Sequence, residues 1–286
     1  MIVVTGATGQ LGRAVVQGLL ARVPADRVVA SVRDPAKASS LAAAGVHVRN
    51  GDFNEPHDLD SAFAGATQIL IVSADKLGQE ALRLHRNAIG AATRSGTRRI
   101  LYTSHMGARA GSPFAPADQH AGTEADLAAS GVAFTVLRHG FYAESCLHMI
   151  GDGLKAGELR TPEDGPVSWT ARADLAEADA VILAQDGHWD GITPPLTAAQ
   201  PVTMAEVAAI ASDVTGRDVR HVTISDDEWR AEKIAAGMPA IYAEMLLGTF
   251  RAARQGDFTT TDQALETLLG RPPKTFRDML IAAAVR

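Results

Sequence analysis

The sequence predicts an α/β protein: a Rossmann-type, doubly wound parallel sheet with a smaller, mostly helical C-terminal lobe. Three observations carry this reading. Short β-rich runs alternate with longer helical patterns through the first half of the chain, and strand, helix, strand at that spacing requires right-handed crossovers with helices on both faces of a parallel sheet. Runs such as Ile69-Leu70-Ile71-Val72 are apolar throughout, as strands covered on both faces are. Glycines at 6, 9 and 12 fall between the first β-rich run and the first helical pattern, the spacing of a phosphate-binding turn.

The elements follow in order. Ile2–Thr5 reads as the first strand and residues 11–22 as the first helix, with Leu11, Val15, Leu19 and Leu20 on one face. Strands are expected at residues 27–32, 46–49, 69–72, 99–103 and 133–137, and helices at 78–95 and 117–130. After about residue 150 the rhythm loosens. Residues 151–165, rich in glycine and charge, read as loop. Helices are expected at 171–184, 203–215, 226–236, 240–254 and 265–269, the last stopped by Gly270-Arg271-Pro272-Pro273. Residues 192–196 hold a short strand that prolines end. The domain division is therefore 1–150 for a dinucleotide-binding domain and 151–286 for a substrate-side lobe, with chain crossing between them.

Bulk properties narrow the function. The 286 residues are 46% hydrophobic and 21% charged, with a formal net charge of −6. That size accommodates a large domain plus a lobe. A mildly acidic chain without a long basic run argues against nucleic acid or anionic membrane as a partner. A small-molecule substrate is expected, with a dimer as the form of any oligomer. Cys146 is the single cysteine, which allows no internal disulfide and suits a reducing compartment; it reads as a small buried hydrophobe. No basic stretch precedes an apolar one at the start, and no apolar run is long enough to span a bilayer, so a cytoplasmic location is expected. The histidines lack metal-ligand spacing, and no metal is expected.

The strongest motif is Thr5-Gly6-Ala7-Thr8-Gly9-Gln10-Leu11-Gly12. Gly6 permits the tight turn, Gly9 lets backbone approach a pyrophosphate, and Gly12 lets the helix pack close to the sheet. The first-turn N–H groups then face phosphate, where the helix dipole favours negative charge. Gly6, Thr8, Gly9, Gln10 and Leu11 are the candidate phosphate-binding residues. Arg33 ends the second strand, and a planar guanidinium there suits the 2′-phosphate of NADP. Lys37 adds charge, whereas Asp34 reads as a cap for the next helix. Asp52 and Phe53, after the third strand, either meet an adenine ring or form a turn with a core aromatic.

These residues resemble the NmrA-like family of atypical short-chain dehydrogenases: Val4 to Gly12, then Val32-Arg33-Asp34-Pro35-Ala36-Lys37, then Gly51-Asp52-Phe53. His120-Ala121-Gly122-Thr123-Glu124, Thr135 to Tyr142, Thr170 to Ala176 and Leu269-Gly270-Arg271-Pro272 are similar to the type 2 NAD(P)H:quinone oxidoreductase and triphenylmethane reductase branch. The resemblance implies NADPH-dependent hydride delivery to a conjugated electrophile such as a quinone or dye. It also implies that Ser73, Ala74 and Asp75 pass near the ribose, and that His139, Gly140, Phe141 and Tyr142 line the nicotinamide end. His139 is a departure, because the branch carries asparagine there.

Ordinary short-chain dehydrogenases donate a proton from Tyr-x-x-x-Lys. Tyr102 is followed four residues on by Met106, and Tyr142 has no lysine at that spacing. Ketone reduction with a tyrosine acid is therefore disfavoured, whereas hydride transfer to a delocalised acceptor needs less help. His120 is the best side-chain candidate for catalysis, with Glu124 one turn on to raise its pKa and orient it; it either donates a proton, positions a ligand, or starts a helix structurally. Tyr142 either lines the pocket, as the second catalytic candidate, or packs in the core. Trp169 reads as core. Two further functions stand beside the reductase: a dinucleotide-binding redox sensor without turnover, and a reductase or isomerase of a specialised metabolite.

Overall fold

The computed structural model describes residues 1–185 and 189–284. The chain runs β1 (Ile2–Thr5), α1 (Gln10–Leu20), β2 (Val28–Val32), α2 (Ser39–Ala43), β3 (His47–Asn50), α3 (Pro56–Phe63), β4 (Gln68–Ile71), α4 (Gly78–Arg94), β5 (Arg99–His105), α5 (Ala115–Ala129) and β6 (Ala133–His139). It continues with β7 (Phe141–Tyr142), α6 (Ala143–Ala156), β8 (Glu158–Pro162), β9 (Trp169–Thr170), α7 (Arg172–Ala184), β10 (Gly191–Ile192), α8 (Met204–Thr215), β11 (Arg220–Ile224), α9 (Asp226–Ala235), α10 (Ala240–Arg254), α11 (Ala264–Leu269) and α12 (Phe276–Ala284). Two compact units form. The first joins Met1–His105, Gln119–Arg138 and Ala173–Pro194; the second joins Met106–Asp118, His139–Arg172 and Pro195–Arg286.

The first unit is built on a seven-stranded sheet ordered β10-β6-β5-β4-β1-β2-β3. The chain steps outward from β1 to β3, then returns to β4 on the other side of β1. With right-handed crossovers, that reversal puts the helices of the two halves on opposite faces and opens a crevice at the carboxyl ends of β1 and β4. The all-apolar strand runs are the reason. Val3, Val29, Ile69, Ile71 and Ile100 are buried with Leu59 and Phe63 of α3 and Ala88 and Ala92 of α4. Most predicted elements stand, with ends moved by one or two residues. Strands β5 and β6 each run on by two residues, to His105 and His139.

The second unit corrects the loop expected at residues 151–165. Helix α6 runs on to Ala156, and β8 follows and pairs in parallel with β11. The glycines there serve packing and termination. A Cβ on Gly153 would lie 2.7 Å from the Glu158 carbonyl oxygen, so glycine lets α6 approach β8. Gly157 adopts φ +77° and donates its N–H to the Gly153 carbonyl, a left-handed helix stop. Strand β11 and helices α2, α3, α6 and α12 also lie outside the expected elements. Thr203 caps α8 with a reciprocal Glu206 bond. The core of this unit gathers Trp169, Trp229, Leu247, Phe250, Phe258 and Phe276. Among the described residues no helix is long and apolar enough to cross a membrane.

Candidate functional site

The glycine loop has the geometry its sequence requires. Gly6 takes φ +58°, which favours glycine. The Gly9 N–H closes the turn onto the Gly6 carbonyl at 2.8 Å. A Cβ on Gly12 would stand 2.5 Å from the Gly6 carbonyl oxygen and 3.0 Å from that of Thr5, so only glycine lets α1 start against the end of β1. Gly9 is the extended N-cap of α1; no side chain caps the helix and no acid occupies its first turn. A helix N-terminus without a side-chain cap or a first-turn acid suits an anion. Gln10 is exposed at the first helical position, Thr8 is half-buried, and Leu11 anchors the turn in the core.

Arg33 follows β2 directly and is exposed. The acid beside it is occupied. Asp34 accepts from the Ala36 N–H at 3.1 Å and pairs with Lys37 at 3.7 Å, so Lys37 shares its charge with Asp34. Asp52 accepts from the Asn54 N–H at 2.9 Å and caps its own turn. Phe53 is half-buried against the core, and its carbonyl accepts from Asn87 at 2.8 Å.

The chain leaving β4 poses a local problem, because its amides lose their ladder partners. Three side chains solve it in succession. The Val72 N–H donates to Thr5 Oγ1 at 2.9 Å, the Ser73 N–H to Thr103 Oγ1 at 2.9 Å, and the Ala74 N–H to His85 Nε2 at 2.9 Å. Thr5 ends β1 and Thr103 lies within β5, the two strands that flank β4. Ser73 and Ala74 are thus held by their backbones, while Asp75 is exposed. Burial pushes His85 down to about 4, so it is neutral near pH 7.

A second cluster lies where β5 meets α5. Strand alternation puts Tyr102 and Ser104 on one face, and helical spacing puts His120 and Glu124 on another. The two faces pair in register: Tyr102 Oη lies 2.7 Å from His120 Nδ1, and Ser104 donates to Glu124 at 2.6 Å. Glu124 also takes a two-point bond from Arg138 of β6, at 3.2 and 2.7 Å. Glu124 is committed to the guanidinium and the serine, and Tyr102 bonds the ring of His120. His105 stacks on His120 at 6.2 Å. No motif singles out His85, Thr103 or Ser104, and the sequence brings in Tyr102 only as a tyrosine without a lysine four residues on. The available signal was polar side chains recurring at inward positions of an otherwise apolar strand.

In the second unit, Gly140 donates its N–H to the Leu196 carbonyl at 2.8 Å, and a Cβ there would lie 2.2 Å from Thr170 Oγ1. Phe141 packs edge-on against Trp169 and Phe258. Tyr142 is half-buried, with the Arg172 guanidinium 4.7 Å from its ring centre and the His139 ring at 6.4 Å. His139 is buried, and burial pushes the Cys146 thiol up, so that thiol is no nucleophile. Among the described residues no group of three or more His, Cys, Asp or Glu is placed to hold a metal ion.

A parallel sheet in this order, with a glycine turn opening the helix after β1, defines a dinucleotide-binding Rossmann protein. The chain belongs to the NAD(P)H-binding family, whose profile matches residues 6–186. It is 37% identical over 279 residues, 97% of this chain and 96% of the relative, to quinone oxidoreductase 2 of Escherichia coli (strain K12). Its structure is similar to that of the NADPH-dependent quinone oxidoreductase of Escherichia coli complexed with NADPH, with a TM-score of 0.94 and 35% identity over 100% of both chains. It is also similar to triphenylmethane reductase of Citrobacter sp. complexed with NADP(H), with a TM-score of 0.91 and 33% identity over 99% of this chain and 100% of that one. The resemblance read from the motifs is borne out.

Proposed function

We propose that this protein is an NADPH-dependent oxidoreductase that reduces conjugated electrophilic acceptors such as quinones and triphenylmethane dyes. The carrying observation is the uncapped N-terminus of α1 behind a turn with no side chain at Gly6 or Gly9. It fits a pyrophosphate without rearrangement of side chains. Relatives named for NADPH-dependent quinone reduction and for triphenylmethane reduction support the acceptor class.

NADPH, when bound, supplies the hydride. The chain's own residues do the rest. The N–H groups of the α1 first turn bind the pyrophosphate, and Arg33 binds the 2′-phosphate as a fixed fork. Ser73 to Asp75 form the ribose side, presented on amides held by Thr103 and His85. His139 to Tyr142 form the nicotinamide side, and His120 provides a polar contact rather than an acid. Residues 1–150 are assigned to the cofactor and residues 151–286 to the substrate. No Tyr-x-x-x-Lys is present, and a delocalised acceptor takes its proton from water afterwards.

The test is NADPH oxidation against benzoquinones, naphthoquinones, a triphenylmethane dye and a simple ketone. Turnover of quinones or dye without the ketone is expected. Ketone turnover at a comparable rate would overturn the acceptor class, and tight NADPH binding with no turnover of any acceptor would move the reading to a redox sensor.

A further inference from the structure

The buried polar cluster of the first unit carries information about where protons sit. His85 is fixed from both sides of its ring. Its Nε2 lies 2.9 Å from the Ala74 amide nitrogen, which can only donate, so Nε2 must be the bare, accepting nitrogen. Its Nδ1 lies 2.8 Å from Thr123 Oγ1, and the single hydroxyl proton of Thr123 is directed to the Gln119 carbonyl at 3.0 Å. The hydroxyl therefore accepts from His85, and Nδ1 carries the proton. Two independent partners demand the same tautomer.

The consequence passes to Tyr102. Its phenol oxygen lies 3.5 Å from His85 Nδ1, a nitrogen already protonated, and 2.7 Å from His120 Nδ1. A phenol is a stronger acid than a neutral imidazole N–H, so across the shorter contact the phenol donates and the imidazole nitrogen accepts. An imidazole that accepts at Nδ1 keeps its proton at Nε2.

We propose that His85 and Tyr102 are positioning residues that set the proton on His120: the Ala74 amide locks His85 with its proton on Nδ1, Tyr102 donates to His120 Nδ1, and His120 is a neutral donor through Nε2. This rests on the oxidoreductase reading for its use and deepens it. A neutral N–H donor suits an acceptor oxygen or nitrogen that gains electron density without needing a protein proton in the same step. Tyr102 reaches His120 from β5, and His85 of α4 lies behind Tyr102, 3.5 Å from its hydroxyl. His85 also orders the backbone at Ala74, so the segment proposed for the ribose side and the proposed donor share this one residue.

The experiment is a two-bond proton–nitrogen correlation spectrum of the full-length protein labelled with ¹⁵N-histidine at pH 7, with and without NADPH. His85→Gln and His120→Gln provide assignments. The expected spectrum shows His85 protonated at Nδ1 and His120 at Nε2. A proton on Nε2 of His85, on Nδ1 of His120, or on both nitrogens of His120 would overturn the proposal. Tyr102→Phe, which keeps the ring and removes the hydroxyl, is the second arm. It should release His120 into a mixture of tautomers, leave His85 unchanged, and lower kcat about tenfold with little change in KM for NADPH, the scale of one neutral hydrogen bond. An unchanged His120 spectrum in that variant would equally overturn the role of Tyr102. Because the spectrum needs no turnover, an acceptor screen that fails overturns the functional reading separately, without touching the tautomers.

Discussion

The glycine loop and the buried cluster beneath β5 lie in the same unit and are built by opposite means. The loop works with backbone alone: Gly6, Gly9 and Gly12 remove side chains so that amides reach the ligand and α1 reaches the sheet. The cluster works with side chains alone: His85, Tyr102, Thr103, Thr123 and Glu124 take up the polar groups of neighbouring elements. The first is local in sequence, within eight residues of Thr5. The second joins residues as far apart as His85 and Thr123. A backbone site fails when anything is added, and a side-chain site fails when anything is removed. Five substitutions sharpen that contrast.

The largest effect should come from adding to the loop. Gly9→Val is expected to abolish NADPH binding in fluorescence titration while circular dichroism stays unchanged, because the side chain would occupy the space a pyrophosphate needs, whereas its Cβ would stand 3.2 Å from the Gly6 oxygen, a milder approach than the 2.5 Å at Gly12. Gly12→Ala places its Cβ against fixed backbone and should cost about 1–3 kcal/mol of stability as well. Retained binding in Gly9→Val would mean that the cofactor sits elsewhere.

Next comes acid lability of the cluster. Burial holds His85 at about 4, against an ordinary value of 6.5, so the fold favours the neutral ring. The unfolded chain takes up that proton below 6.5. The contribution is complete above 6.5 and is lost as pH falls to about 4, a swing on the order of 3 kcal/mol. Urea unfolding of wild type and His85→Gln at pH 7 and pH 4.5 reads it: the variant should lose much less stability between the two. Equal losses would show that His85 does not carry the term.

Removal of Arg33 tests whether the cofactor end is all backbone. Arg33→Ala should weaken NADPH binding by about 1.5–3 kcal/mol, the scale of a hydrogen bond to a charged group, and barely alter NADH. Wild-type protein that binds both cofactors equally would contradict the assignment. The smallest effect is expected at His120. His120→Ala should lower kcat about tenfold, since only a positioned hydrogen bond is lost. A loss of roughly 10²–10⁴-fold, with a pH dependence near neutrality removed, would instead mark it as a general acid.

The second unit shows how an apolar pattern can hide beneath composition. Glycine and charge at residues 151–165 suggest loop, yet Gly153 is where α6 meets β8 and Gly157 is where α6 stops. The charges of β8 face partners on β11 and α9: Glu158 pairs with Arg220 at 3.0 Å, and Arg160 with Glu228 and Glu232 at 2.7 and 2.8 Å. Leu159 is the one apolar residue among the inward positions Leu159 and Thr161 of this strand, too few for a hydrophobic period to be read.

What the sequence determined by itself is whatever short-range physics dictates. The strand–turn–helix at Thr5 to Gly12, the apolar strands, the arginine after β2 and the absence of Tyr-x-x-x-Lys are all legible, because each depends on residues within about a turn of one another. The face shared by His120 and Glu124 was legible for the same reason. Their partners were not. Tyr102 takes His120 and Arg138 takes Glu124 only because β5 lies between β4 and β6 and α5 packs on it. That order is set by the crossovers of the whole sheet, so which proton donor meets which acceptor was decided by tertiary structure alone.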